Sequence, residues 1–298
     1  MSISNGLSLR ERDVGGSVSE TVRELTPPFP HGRRRVAILI HGYNNTLDAA
    51  RRGYDAFGDH LIALGPAAGA LLADIGGLYW PGDADLGSVS FISYPLELLP
   101  ARESARKLAI FVRTLAGPGG TPMEIYFVCH SLGNRVVLEV LDLLAVEPAP
   151  LVQVAIVVLM AAAVPVEMVG AGGRLLPGVT LPDKRLVLYS RDDNVLHWAF
   201  PLGETLGGEG LFPTAIGRFG QPPGVWTARR ELAGNDHSDY WPDRRVAVLV
   251  ADILGVPVTR EIEESSPATR KLPDLTSLAT REVAPRELPQ FTSASMNP

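Results

Sequence analysis

Short apolar runs alternate with longer amphipathic segments through the middle of the chain. The run at residues 36–40 is continuous and rich in β-branched side chains, which is typical of a parallel strand buried on both faces. Similar runs recur at intervals, each bounded by turn-forming residues. We predict strands at residues 36–40, 124–128, 154–159, 186–189 and 225–231, and one more at either 77–80 or 89–94.

The segments between these runs have helical periodicity. Apolar positions spaced by three and four predict helices at residues 47–64, 101–115, 132–144 and 246–254. Alternation of strands and helices predicts an α/β fold, a three-layer sandwich around a mostly parallel sheet. In such sheets ligands bind beyond the carboxyl ends of the strands, so polar residues at those ends are the candidates for function.

The two ends of the chain have a different composition. Residues 1–34 are polar and close with a cluster of prolines, so we expect an N-terminal tail or strap. Residues 35–258 would form the α/β domain. Residues 259–298 are rich in Ser, Thr, Pro and charge, and we expect them to form a disordered C-terminal tail.

Composition narrows the classes of function. The net charge is −6 without a basic stripe, which argues against nucleic-acid binding. One cysteine excludes an intrachain disulfide framework and a metal site built on several thiolates. The most apolar run, at 154–164, is shorter than the about 20 residues of a membrane span, so we expect no stable membrane insertion. The N-terminal residues lack the apolar core of a signal peptide, and we expect a cytoplasmic protein.

Ser131 stands where a predicted buried strand meets a helix, in the stretch CHSLG. A sharp strand-to-helix turn exposes its central side chain above the sheet and needs small residues two positions before and after. Gly133 fits this need, and Cys129 is small but carries a Cβ. We therefore interpret Ser131 as a nucleophile on such an elbow, with a plain helix N-cap as the alternative.

Cys129 and His130, the two residues before Ser131, are the other candidates for a reactive side chain in this stretch, and we assign neither a catalytic role. Cys129 is a rival nucleophile, but we expect its side chain to be buried in the strand–helix packing, where a thiol is inert. His130 lies next to the serine and cannot easily turn back to act as its base. We expect it to pack against the wall beneath the site.

The loop after the first strong strand reads HGYNNT. In sheets that carry a nucleophile elbow, this loop supplies one N–H of the oxyanion hole. Gly42 allows the backbone to face the pocket, so the N–H of Tyr43 is our candidate, and the N–H of Leu132 is the second. We expect His41, Gly42 and Trp80 to belong to the pocket.

A serine needs a base, and the base needs an orienting carboxylate. The chain order for such an elbow is serine, acid, histidine. Asp192 and Asp193 both follow the strand at 186–189, and spacing does not choose between them. His197 lies too close to these acids along the chain to reach the serine. We therefore prefer His237, in the loop before the last helix, as the base.

Several segments resemble one family. The stretches HGYNNT, YWPGD, RESARKLAIFVRTLA, CHSLGNRVV, LVLYSRDDNVL and NDHSDYW follow the order of the α/β-hydrolase superfamily, and they look like bacterial α/β hydrolases of the DUF900 type. The resemblance covers residues 35–257. It aligns Ser190, Asp193 and Leu196 with the family's acid segment, which favours Asp193 as the acid. We expect Asp192 to belong to the pocket.

The resemblance implies a serine hydrolase that cleaves an ester or related acyl bond of a small molecule. The expected triad is Ser131, Asp193 and His237, and no metal or organic cofactor is implied. Acyl transfer to another acceptor is an alternative use of the same triad. A non-catalytic binding module on the same fold is the alternative from a different class. Nothing in the sequence indicates an oligomeric state.

Overall fold

A single sheet organises the chain. The computed structural model describes residues 3, 5–10, 21–82, 90–208 and 210–258, with the backbone alone for 90–97. Within these ranges eight strands lie in the order β2-β1-β4-β3-β5-β6-β7-β8, and every neighbouring pair is parallel except β1 with β2. The strands are β1 (Gly6–Ser8), β2 (Arg23–Glu24), β3 (Arg35–Ile40), β4 (Ile75–Tyr79), β5 (Met123–His130), β6 (Val152–Met160), β7 (Lys184–Tyr189) and β8 (Ala228–Glu231).

The helices form two groups, as a three-layer sandwich requires. One group contains α1, α2 and α8, and the other contains α3, α4, α5 and α6. A π-helical turn, Val195–Ala199, runs directly into α6. The helices are α1 (Leu47–Ala63), α2 (Pro66–Gly69), α3 (Ser90–Arg113), α4 (Gly133–Val146), α5 (Leu176–Val179), α6 (Phe200–Leu206), α7 (Ile216–Phe219) and α8 (Arg244–Ile253).

Strands β3, β5 and β6 lie in the middle of the sheet and are covered on both faces. Their side chains are therefore buried without alternation, from Val36 to Ile40 and from Ile125 to His130. Helix α4 packs on this centre and contacts β3 and β5. Burial of these large aliphatic side chains contributes about 1.5–3 kcal/mol each, so the strands that carry the site are held rigidly.

The α/β fold expected from the sequence is confirmed. One of the two positions suggested for the additional strand is wrong. The additional strand is β4 (Ile75–Tyr79), whereas a strand at 89–94 is wrong because helix α3 begins at Ser90. A short apolar run does not distinguish a strand from a buried helix. The segment 259–298 lies outside the described residues.

Two short stretches within the range 1–34, at residues 6–8 and 23–24, belong to the sheet. β1 pairs in parallel with β4, and β2 pairs with β1. The sheet therefore extends beyond the range 35–258 that the sequence suggests. Strands of three and two residues are too short to show a periodicity, so this contribution is invisible in the pattern.

Because β3, β5, β7 and β8 run in parallel, their carboxyl ends meet at one edge of the sheet. The loops that follow them carry Tyr43, Ser131, Asp193 and His237, the residues that the sequence selects. None of the described helices is long and apolar enough to cross a membrane.

Candidate active site

Ser131 occupies a sharp turn between β5 and α4. Its φ is +52°, in the left-handed region that costs about 1 kcal/mol or more for a residue with a side chain. Two hydrogen bonds to the backbone of Ser131 hold the turn: its N–H donates to Met160 O at 3.0 Å, and the side chain of Asn134 donates to its O at 2.8 Å. The surrounding structure thus imposes a strained conformation on Ser131.

Two glycines allow the loop after β3 to lie against this turn. A Cβ at Gly133 would stand 2.3 Å from His41 O, and a Cβ at Gly42 would stand 2.6 Å from the Cβ of Ser131. No side chain fits at either distance, so the small residues are required by close approach of two backbones. At the other expected small position, Cys129 is fully buried inside β5, and burial raises the pKa of its thiol.

His237 connects the serine to a carboxylate. Its Nε2 lies 2.7 Å from Ser131 Oγ, and its Nδ1 lies 2.8 Å from Asp193 Oδ2. A carboxylate accepts hydrogen bonds, so Nδ1 carries the proton and Nε2 is left to accept from the serine hydroxyl. These two contacts join residues that lie 106 and 44 positions apart in the sequence.

Asp193 is completely buried, and both of its oxygens are used. Oδ2 accepts from His237, and Oδ1 accepts from the N–H of Leu196 at 2.9 Å. Asp192 has a different role, because its side chain is exposed and accepts from the N–H of Gly234 at 2.7 Å. Asp193 therefore orients the ring of His237, while Asp192 anchors the loop on which His237 lies.

Further contacts fix this loop, which we call the histidine loop and define as residues 232–243. Ser190 donates to Asn235 O at 2.7 Å. The ring Nε2 of His60, in α1, lies 2.7 Å from Pro242 O, and that of His130 lies 2.7 Å from His237 O. The loop is thus tied to β7, to α1 and to the serine turn.

The loop after β3 rests on a buried aromatic layer. His41 Nδ1 donates to Gly42 O at 2.8 Å, while His41 Nε2 accepts from Trp80 N at 3.2 Å. The two rings stack with centroids 5.7 Å apart. Burial is the main cause that lowers the pKa of His41 to about 3, so the ring is neutral at pH 7. Arg10 adds support from the segment after β1, donating to the carbonyls of Asn45 and Trp80 at 3.1 and 3.0 Å.

Tyr43 and Leu132 lie where donors to an oxyanion are expected. Tyr43 follows Gly42, whose Cα lies against Ser131, and it borders the cavity above the serine. Leu132 is the N-cap residue of α4. The first N–H groups of a helix have no partner inside the helix and lie at the positive end of its dipole.

A cavity of about 460 Å³ opens above Ser131. This volume falls within the range of small-molecule pockets. Its lining combines polar groups, among them Ser131 and His237, with apolar side chains. None of the described residues that line it is Asp, Glu, Lys or Arg. The lining residues are Tyr43, Asn44, Asn45, Ala49, Gly53, His130, Ser131, Ala163, Val195, Leu196, Ala199, Phe200, His237, Ser238, Trp241 and Pro242.

Four residues that the sequence suggests for the pocket do not line this cavity. His41 and Trp80 are both buried and support the β3 loop from behind. The ring of His41 contacts those of Tyr54, Tyr79 and Trp80. Gly42 contributes a close backbone approach and no wall. Asp192 is exposed and accepts from the N–H of Gly234 in the histidine loop.

The described residues offer no group of three or more His, Cys, Asp or Glu side chains that could hold a metal ion. His197, the other histidine after the acids, has its ring against Trp198 with centroids 4.2 Å apart. It lies on the π-helical turn, where its N–H donates to Asp193 O, and it does not line the cavity.

Comparison with known proteins identifies the family. The model of a family described as "Alpha/beta hydrolase of unknown function (DUF900)" matches residues 24–205, more than half of the chain. The chain belongs to this family. The matched range of this DUF900 hydrolase contains Ser131 and Asp193 and ends before His237. No curated protein matches the sequence.

Solved structures resemble this DUF900 hydrolase only distantly. The product of gene lin2722 from Listeria innocua is 14% identical with a TM-score of 0.45, covering 76% of this chain and 96% of its own. An esterase from Pyrobaculum calidifontis is 11% identical with a TM-score of 0.41, covering 76% and 78%. A putative esterase from Staphylococcus aureus is 11% identical with a TM-score of 0.40, covering 77% and 78%. At this distance the likeness says nothing about activity.

The sequence misses the structural roles of several residues that shape the site of this hydrolase. His60, Ser190 and Arg10 fix the loops through backbone carbonyls, and such contacts leave no pattern in a sequence. The apolar wall is also missed, although Val195, Leu196 and Ala199 follow the acid directly. An apolar stretch just after a candidate acid is a signal that could point to such a wall.

Proposed function

We propose that this α/β hydrolase is a serine esterase that cleaves an uncharged ester through an acyl-enzyme. Ser131 is the nucleophile, His237 the general base and acid, and Asp193 the residue that orients His237. The observation that carries the proposal is the pair of contacts of one imidazole, 2.7 Å to Ser131 Oγ and 2.8 Å to Asp193 Oδ2. This is the geometry that activates a serine hydroxyl.

In the first half of the reaction, Ser131 Oγ attacks the carbonyl carbon and its proton passes to His237 Nε2. The carbonyl oxygen becomes an oxyanion, which accepts hydrogen bonds from the N–H groups of Tyr43 and Leu132. The tetrahedral intermediate collapses, the bond to the alcohol oxygen breaks, and His237 returns the proton to the leaving alcohol. The acyl group remains bound to Ser131 as an ester.

In the second half, a water molecule attacks the acyl-enzyme while His237 accepts one of its protons. The new intermediate expels Ser131 Oγ, which takes the proton back, and the carboxylic acid leaves. Asp193 stabilises the imidazolium in both halves through its bond to Nδ1. Each oxyanion donor contributes about 3–4 kcal/mol to such a transition state.

The apolar lining of the cavity favours the binding of an apolar group of the ester. Its lining includes the apolar side chains of Val195, Leu196, Ala199 and Phe200 and the ring of Trp241. Each buried methylene contributes about 0.8 kcal/mol, which is about fourfold in kcat/KM. A charged group would lose its hydration with no charged partner among the described lining residues.

Replacing Ser131 by alanine tests the assignment. We expect wild-type protein to hydrolyse p-nitrophenyl butyrate and to react covalently with a fluorophosphonate, and we expect Ser131→Ala to do neither. Cys129→Ala should keep both properties, because that thiol is buried in β5. Undiminished hydrolysis by Ser131→Ala contradicts the proposal. Folded wild-type protein that neither hydrolyses esters nor reacts with the probe indicates a binding module instead.

Two matched substrates test the preference for an uncharged group. The p-nitrophenyl esters of pentanoic acid and of succinic acid (as its monoester) have similar length, but the second ends in a carboxylate. We expect kcat/KM to rise from acetate to pentanoate and to be at least tenfold lower for the succinate. A parallel series of acetate esters with longer alcohols shows whether the acyl or the alcohol group occupies the cavity. Equal rates for pentanoate and succinate contradict the preference.

A further inference from the structure

His130 is a buried histidine that the proposed reaction does not use. It is the last residue of β5, next to Ser131, and its side chain is 6% exposed. Its Nε2 lies 2.7 Å from the backbone oxygen of His237, a residue 107 positions further along the chain. The ring also contacts the rings of His237, Tyr240 and Trp241, at centroid distances of 5.2, 5.8 and 6.3 Å.

The direction of this hydrogen bond is determined by its acceptor. A carbonyl oxygen only accepts, so Nε2 of His130 carries the proton and donates. Burial is the main cause that lowers the pKa of His130 to about 3, and the neighbouring His237 lowers it further. The ring is therefore neutral at pH 7 and places no positive charge beside the imidazole of His237.

The contact completes a cyclic path of covalent and hydrogen bonds through Ser131, His130 and His237. Ser131 is joined to His130 through the chain, His130 is joined to His237 through the carbonyl, and the side chain of His237 returns to Ser131 Oγ. Fixing the backbone of His237 limits where its imidazole can lie. Asp192 and Ser190 bind the histidine loop at Gly234 and Asn235, before His237 in the chain. His60 binds it at Pro242, five residues after His237.

We propose that His130 is a positioning residue that sets the distance between His237 Nε2 and Ser131 Oγ. This inference rests on the proposed function, since the positioned atoms are those that exchange the proton. Proton transfer from serine depends on a hydrogen bond of about 2.6–3.2 Å. A displacement of about 1 Å at such a site is enough to lower a rate about 10²-fold.

Two substitutions separate the donated hydrogen bond from the packing of the ring. His130→Phe keeps an aromatic ring against Tyr240 and Trp241 but has no donor. His130→Gln loses the ring but retains an N–H donor at the end of the side chain. We expect His130→Phe to lower kcat by 10- to 100-fold with KM changed less than twofold. We expect His130→Gln to recover a kcat at least fivefold above that of His130→Phe.

The rates are normalised to the number of reactive serines, counted by titration with a fluorophosphonate. A purely structural role would lower the fraction of titratable enzyme and leave kcat per reactive serine unchanged. Normalised kcat of His130→Phe within twofold of wild type overturns the proposal, and so does equal loss in the Phe and Gln variants. If wild-type protein itself has no Ser131-dependent activity, the proposed function fails, and this outcome is distinct from the others.

Discussion

Substituting Gly42 by alanine tests how closely the loop after β3 must approach the serine. The added Cβ would lie 2.6 Å from the Cβ of Ser131 and 3.2 Å from its Oγ. Carbon atoms in contact prefer a separation of about 3.5–4.0 Å. The two backbones must therefore separate by about 1 Å, because the Cβ of Ser131 is bonded directly to the backbone and cannot rotate away.

A separation of this size acts on the oxyanion donors. The N–H groups must lie about 2.7–3.1 Å from the oxyanion, and losing one donor lowers kcat by about 10²–10³. We expect Gly42→Ala to lower kcat by about 10²-fold or more, with a smaller change in KM. Overpacking should also destabilise the fold by about 1–3 kcal/mol, which leaves a folded protein at moderate temperature.

The assay is hydrolysis of p-nitrophenyl butyrate, with kcat normalised to fluorophosphonate-reactive serine and Tm measured in parallel. Gly69→Ala is the matched control: the nearest atom to its added Cβ is Ile62 Cα at 3.6 Å, an ordinary contact, and it lies in α2 away from the site. Its kcat should equal that of wild type. If Gly42→Ala keeps kcat within threefold of wild type, the close approach of the two loops does not set the catalytic geometry.

Three further predictions concern the groups around the proposed triad. Asp193→Asn should lower kcat about 10⁴-fold by favouring the wrong imidazole tautomer, whereas Asp192→Asn, which weakens a loop anchor, should lower it less than tenfold. Arg10→Ala should lower kcat about three- to tenfold, because the β3 loop loses the bond donated to Asn45 O and Trp80, which supports that loop, loses the other. Acid should destabilise the fold, because His41 and His130 have pKa values of about 3 when folded and 6.5 when unfolded. Their contribution to the free energy of unfolding is present above pH 6.5 and falls by about 2 kcal/mol per histidine at pH 5.

Each of these outcomes has its own check. Steady-state kinetics of the two aspartate variants should differ by at least 10³-fold, and equal losses would contradict their separate roles. Arg34→Ala, an exposed arginine just before β3, is the control for Arg10→Ala and should have wild-type kcat. Urea unfolding at pH 7.5 and pH 5 measures the acid effect, and His130→Gln should lose about 2 kcal/mol less than wild type between them. An unchanged pH dependence in that variant contradicts the assigned burial cost.

The local sequence does not determine which of the two adjacent aspartates binds His237. Asp192 and Asp193 are adjacent, and spacing alone leaves both open. In the structure one carboxylate is buried and meets the imidazole of His237, while the other points outward to Gly234. The difference depends on how the chain turns after β7 and where β8 brings the histidine loop. Neither is encoded in the few residues around the acids.

The sequence by itself determined the alternation of buried strands and amphipathic helices, because burial on both faces of a parallel strand demands an uninterrupted apolar run. It also determined the order serine, acid, histidine along the chain and the small residue at Gly133. Only the tertiary structure decided that His41 and Trp80 turn inward, that β1 brings Arg10 to the β3 loop, and that His130 holds the backbone of His237. These are contacts between residues 35 to 107 positions apart, and they arise from packing, which no local periodicity records.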